Sequence, residues 1–247
     1  MKGRIIVSTL LALLLFVSLP MSALAATWDI SKGDITVNAE SGGQTVRQGG
    51  GAAVPDSAPV ITGTSKENNV TINAESGQTA SVTLSGVNID VRDKGKAAVS
   101  TTGEGNVSIE LNGDNTLKSG KGHAGLEKNN GGSLTIGSES GSGQLVATGG
   151  DGGAGIGGGR DGSGCDISIT GGVVQAQGYL GAGIGGGMNG DSWNILIKDT
   201  TLTALAFPLY PSSDYTELSA SAVGRGSNRT HYMLSLIHIS EPTRQEA

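Results

Sequence analysis

The chain has 247 residues, with 16 basic against 22 acidic side chains and a formal net charge of −6, a balance that leaves no basic stripe for a nucleic-acid backbone. A single cysteine, Cys165, excludes an internal disulfide. Glycine, at 43 residues, is abundant enough to suggest disorder, but the glycines keep register with aliphatic positions, which a disordered chain does not require.

Residues 1–25 begin with Lys2 and Arg4, continue through an apolar run to Leu19, and close on Ala23-Leu24-Ala25. This is the pattern of a cleaved secretory signal, too short and wrongly flanked for a comfortable membrane span. It predicts a secreted, extracellular or cell-surface protein with no span in its mature part. Without the two basic residues of the signal, fourteen basic face 22 acidic side chains, a net charge of −8.

The run WDISKGDITV at 28–37 alternates and reads as a cap on a stack of strands. Residues 44–65 are irregular, broken by Pro55 and Pro59. From Asn69 onward, aliphatic residues recur at i and i+2, the spacing of a strand face. The pairs are Val70 and Ile72, Val82 and Leu84, Val107 and Ile109, Leu134 and Ile136, Ile167 and Ile169, and Ile195 and Ile197. Ser or Thr fills the outer position between them until Leu196. After each pair from Val82 on comes a turn and a second short strand, at 87–91, 116–118, 145–148, 173–177 and 202–206. A third strand follows, with a small-small-aliphatic signature: Ala97-Ala98-Val99, Ala124-Gly125-Leu126, Ala154-Gly155-Ile156, Ala182-Gly183-Ile184 and Ser221-Ala222-Val223. Two of these lie in identical copies of GAGIGGG, at 153–159 and 181–187.

Such a repeat of about 28 residues predicts an all-β parallel β-helix, a solenoid with three short strands per coil. The domain spans 26–233, with regular coils over about 69–206 and an aromatic, proline-rich insert loop at 207–218. Stacked coils place like residues about 4.8 Å apart. Ala97, Ala124, Ala154, Ala182 and Ser221 are therefore expected to form one inward column, and Val99, Leu126, Ile156, Ile184 and Val223 the next. A β-sandwich or propeller is the alternative, but antiparallel folds do not require each residue to sit above its homologue. No segment after the signal has a 3.6-residue period with helix caps, which excludes a doubly wound α/β fold.

Residues 234–247 stand apart. The stretch LSLIHISEPTR resembles a translated sequencing adapter joined to a gene fragment, shows no β periodicity and bears no relation to the repeat. It reads as a non-native tail, replacing a C-terminal part of the natural protein.

Three groups of residues are candidates for chemistry. Asp151, Asp161, Asp166, Asn189, Asp191 and Asn194 flank the third strands. Stacking sets Asp161 near Asn189 and Asp166 near Asn194. Such oxygens suit Ca²⁺, with Asp161, Asp166 and Asp191 as ligands. The competing reading is an Asn/Asp ladder that satisfies turn backbone. Trp193, Tyr179 and Tyr210 are the candidates for stacking on sugar rings. Arg92, Lys94, Lys96, Lys128 and Arg160 carry charge, and His123 and His231 precede the tail, but none repeats beside a carboxylate cluster. No catalytic constellation is therefore expected. Cys165 reads as a small residue at a coil corner. GAGIGGG has no following helix or closing Lys-Ser/Thr and is not a phosphate loop.

The succession VTLSGVNIDV (82–91), AAV, VSIELNGDNTL (107–117), AGL and SLTI…GQLVATGGDGGAGIGGG (133–159) resembles the secreted bacterial carbohydrate-binding β-helix proteins and the glycine-rich surface proteins with repeated GAGIGGG. The resemblance implies a right-handed β-helix that binds acidic plant-type polysaccharide, in some members with Ca²⁺. Where those members often carry Asp-Gly-Ile-Lys, this chain has Ala154-Gly155-Ile156-Gly157. The expectation is a non-catalytic polysaccharide-binding module of an exported surface protein. The alternatives are a stalk or adhesin segment presenting a further domain and, third, a polysaccharide lyase or hydrolase. If the tail is foreign, deleting 234–247 should leave the melting temperature within about a degree or two in calorimetry.

Overall fold

The computed structural model describes residues 25–207, 218–219, 221–227, 232–233 and 235–239. The signal sequence before Ala25, Tyr210, His231 and nearly all of the insert loop lie outside them. The described chain is a β-solenoid of about five turns, and each regular coil contributes one strand to each of three columns. The first column runs through Thr79–Asp90, Asn106–Asn112, Leu134–Gly137, Gly164–Thr170 and Ser192–Lys198, all parallel. The second continues from the far half of Thr79–Asp90 through Asp114–Lys118, Gln144–Asp151, Val173–Tyr179 and Thr201–Phe207. The third holds the small-small-aliphatic strands. No helix among the described residues is long and apolar enough to cross a membrane.

The aliphatic column of the third strands forms in register and is longer than the repeat spacing indicates. Ile35, Val70, Val99, Leu126, Ile156, Ile184 and Val223 sit one above another. Val70 and Ile72 therefore belong to the third column, although their i, i+2 pattern matches strands of the first. Periodicity reports a strand face and not which side of the coil it occupies. Parallel stacking also begins earlier, with Ile35–Glu40 on Val70–Ala74.

The alanine column differs from expectation. Ala97, Ala124, Ala154 and Ala182 are buried but lie outside the continuous apolar core, whereas Ala98 and Ala222, the middle residues of their triplets, belong to it. The chain turns a corner here, so two consecutive residues face inward. The interior is narrow at this corner. A Cβ on Gly155 would come within 2.4 Å of the Gln177 nitrogen and 2.6 Å of the Gly183 oxygen. The second column faces this corner with Ile89, Leu117, Ala147, Ala176 and Ala204 in register, shrinking toward the C-terminal coils. Small residues on both sides let the coil close without voids. Two positions later, Gly157, Gly185 and Gly224 share φ values of 131°, 132° and 132°, a conformation open only to glycine.

The two ends are built differently. At the N-terminal end, Ile35–Glu40 folds back through an antiparallel hairpin with Gly43–Gln48, which pairs with Val54–Pro55. At the other end, Ser235–Ile239 pairs antiparallel with Thr201–Phe207. This part of the tail thus lies along the sheet instead of making few contacts, because a strand edge accepts any extended segment whose backbone can pair.

The dry third column generates a test. Ile184 is fully buried, so Ile184→Asp places an unpaired carboxylate between Ile156 and Val223, at a cost of several kcal/mol. Thermal unfolding should show a melting temperature lower by about 10 °C or more. An unchanged transition would mean that the column is not the core.

Candidate functional site

Asp161 and Asn189 occupy equivalent turns with φ of 61° and 65°, and Asp166 and Asn194 equivalent irregular positions within the first-column strands Gly164–Thr170 and Ser192–Lys198, with φ of 53° and 52°. Asp and Asn tolerate this left-handed region better than other side chains. The Asn189 amide donates to Asp161 Oδ1 at 2.7 Å, and the Asn194 amide to Asp166 Oδ1 at 2.6 Å. Asp191 is ion-paired with Arg225. The three proposed calcium ligands are therefore not brought together, and each is engaged separately. Among the described residues no group of three or more His, Cys, Asp or Glu side chains is placed to hold a metal. This donor set does not fit a common Ca²⁺ ion.

The aromatic candidates also separate. Trp193 lies on Ser192–Lys198 in the first column, in register with Cys165, and is 55% exposed. Tyr179 ends Val173–Tyr179 in the second column, in register with Asp151 and Phe207. Its ring stacks on Phe207 with centroids 5.5 Å apart, and its hydroxyl accepts a hydrogen bond from Gln177 at 2.9 Å.

Around Tyr179 the coils form an open groove of about 350 Å³, with Gly149 and Gly150 as floor and Arg92, Lys121, Asp151 and Thr148 beside them. The floor is bare because backbones meet there. A Cβ on Gly150 would lie 2.1 Å from the Gly120 oxygen. Asp151 sits between two cations, with Lys121 Nζ at 3.4 Å and Arg160 Nη2 at 3.5 Å from Oδ2, while its Oδ1 is buried without a hydrogen-bond partner. Arg92 grips Asp90 through Nε and Nη2 at 2.8 and 2.7 Å. The Arg92 hydrogen bond holds the Asp90 carboxyl below the usual carboxylate range, and Asp90 in turn raises the guanidinium. The groove thus combines a braced aromatic ring, a side-chain-free shelf and exposed cations paired with carboxylates. Such a surface can meet the apolar face of a sugar ring and its hydroxyl or carboxylate oxygens. Neither Lys121 nor the role of Asp151 follows from local sequence. The coil period was the available clue, since Lys121, Asp151 and Tyr179 recur at 30 and 28 residues.

A second polar cluster is buried. Glu127 accepts from the Ala124 nitrogen at 3.0 Å and the Asn129 amide at 2.8 Å, and lies 2.8 Å from His123 Nδ1. Lys128 is 4% exposed and donates to the Asn130 carbonyl at 2.7 Å. Burial pulls the Lys128 amine below the usual lysine range, and burial also raises the half-buried Cys165 thiol. A depressed amine costs stability wherever it must be charged. Between its folded value and the ordinary lysine value the unfolded chain binds more protons, so stability rises with pH across that window. Lys128→Met should remove this contribution. Denaturant midpoints from neutral pH to about pH 10.5 should show the wild type gaining on the variant as pH rises, and parallel curves would contradict the assignment.

Compared with family models, curated proteins and solved structures, the chain matches none of them.

Proposed function

We propose that the protein is a non-catalytic polysaccharide-binding module of an exported bacterial surface protein, and that the groove beside Tyr179 is its binding site. One observation carries this reading: the Phe207-braced Tyr179 ring stands beside the bare Gly149–Gly150 shelf, with Arg92 and Lys121 flanking it. An extended polymer can lie across such a shelf, stack one ring on Tyr179 and give its oxygens to the cations. The cations favour a polymer bearing carboxylates. The acidic chain as a whole opposes one, so affinity should be weak and fall with salt.

A stalk or adhesin segment is the second reading. It is favoured by the placement of Trp193 and Tyr179 on different columns, which denies them a shared stacking platform.

Calorimetric titration against polygalacturonate, xylan and cellulose, with Ca²⁺ and with chelator, separates the two. Binding without appearance of reducing or unsaturated ends is expected, and Tyr179→Ala should weaken it about tenfold, near the value of one aromatic contact. Lys121→Ala should weaken binding of polygalacturonate more than of cellulose. Absence of binding to every polymer in both conditions favours the stalk, and cleavage of any of them makes the protein an enzyme.

A further inference from the structure

The N-terminal end of the solenoid converges on one buried acid. Asp56 is 1% exposed, and among the described residues no basic side chain is ion-paired with it. Glu127, also buried, has His123 Nδ1 2.8 Å away. Asp56 is ringed by N–H donors instead. The Trp28 indole nitrogen and the Ala26 backbone nitrogen donate to Oδ2 at 2.8 and 3.2 Å, and the Ala58 nitrogen donates to Oδ1 at 3.1 Å. Three neutral donors hold a carboxylate in place but leave its charge without a partner, which is costly in an interior.

Ala26 is held at both of its backbone groups. Its nitrogen meets Asp56, and its carbonyl accepts from the Val60 nitrogen at 2.9 Å. It leads directly into Thr27–Asp29, which lies parallel on Val60–Thr62, and Val60 and Ile61 pair in turn with Thr83 and Leu84 at the start of the first column. Asp56 reaches the same column by a second route. Its carbonyl accepts from Gln44 Nε2 at 3.0 Å, and Gln44 seals Ser81 as a strand would. The Ser81 nitrogen donates to Gln44 Oε1 at 2.8 Å, and Gln44 Nε2 donates to the Ser81 oxygen at 2.9 Å. Ala26 is also the residue that follows Ala23-Leu24-Ala25, the small-residue end of the signal pattern. One of the three nitrogens on the buried carboxylate is therefore the one that a cut after Ala25 frees.

We propose that Asp56 is the receptor for the α-ammonium of Ala26, created when the Ala25–Ala26 bond is cut by a signal peptidase during export, and that this ion pair locks the N-terminal cap of the solenoid. The inference rests on the exported reading for the cut and is independent of any glycan. Hydrolysis adds water across the amide. The water oxygen goes to Ala25 as part of its carboxylate, and the Ala26 nitrogen leaves with the protons as an ammonium. The atom already 3.2 Å from Oδ2 then carries a positive charge, and a charge-assisted hydrogen bond is about twice as strong as a neutral one. Before the cut the same nitrogen is an amide and the ion pair is missing. The cap of the precursor is therefore weaker than that of the mature chain, and cohesion at this end is completed only after the cut. Position matters as well as charge. An amine one residue earlier stands about 3.8 Å farther along the chain and returns Ala26 to an amide.

Mass spectrometry of the full chain expressed in an exporting bacterial host should find a mature product that begins at Ala26. Three forms of that product then separate the ion pair from the cut: a free amine at Ala26, the same chain acetylated there, and a chain that begins at Ala25. The first should melt at least about 3 °C above both others, and Asp56→Asn should abolish the difference. Acylation of the α-amine near pH 8 needs no variant and decides alone where Asp56→Asn does not fold. The folded chain should react at least about fivefold more slowly than the chain in denaturant, because the carboxylate favours the charged, unreactive amine. A product that begins at any other residue overturns the maturation step. A product that begins at Ala26 but melts and reacts as its acetylated, extended or unfolded counterparts do overturns the ion pair and leaves the exported reading intact.

Discussion

Backbone hydrogen bonds between consecutive coils hold strand residues above their counterparts one coil earlier, with register shifts only near Ile61 and Thr148, and the rest of the molecule follows from that register. Like must tolerate like at about 4.8 Å. Aliphatic residues meet the demand by merging into a dry stripe, from Ile35 to Val223 in the third column. Ser and Thr meet it on the outer face of the first. Glycine meets it where the corner is too tight for a Cβ, as at Gly155, and where φ turns positive, as at Gly157 and Gly185. A charged residue stacked on its own kind would not meet it. At these left-handed positions two successive coils therefore set amide on acid, Asn189 on Asp161 and Asn194 on Asp166, with one oxygen of each carboxylate engaged in the pairing.

The same constraint explains which parts of the architecture were legible in the amino-acid sequence. Val99, Leu126, Ile156, Ile184 and Val223 announce their stacking through spacing alone. The second GAGIGGG fixes the coil length without reference to any structure. Assignment of Val70 and Ile72 to a column was not legible, because the period of two is the same on every side of the coil. Nor was the inward middle residue of each small-small-aliphatic triplet, since a corner suspends the alternation of a straight strand. At the N-terminal end, the sealing of Ser81 by Gln44 involves residues 37 positions apart with no repeat between them.

The candidate site was less legible than the fold for a related reason. Coil periodicity places residues above one another without saying what unlike side chains at equivalent positions do together, and the groove is made from such positions, with Asp151 below Tyr179. Tyr179 could be nominated as an aromatic residue near the best repeats. Its neighbours Lys121 and Asp151 are brought to it by coil stacking alone, and its brace, Phe207, begins the stretch read as an insert loop. The Asp/Asn array shows the opposite case. Its proximity was correctly given by the 28-residue period, but proximity did not say whether the oxygens were free.

The inward stripes of the second column trade volume with each other along the axis. Ile89 and Leu117 give way to Ala147, Ala176 and Ala204, while two residues earlier in the same strands buried Asn115 gives way to Leu145, Val174 and Leu202. Bulk lost from one stripe is supplied by the next, so an interior of constant width can be filled by coils of different composition. In a quasi-one-dimensional fold such compensation lets single positions vary so long as the sum across one coil is kept.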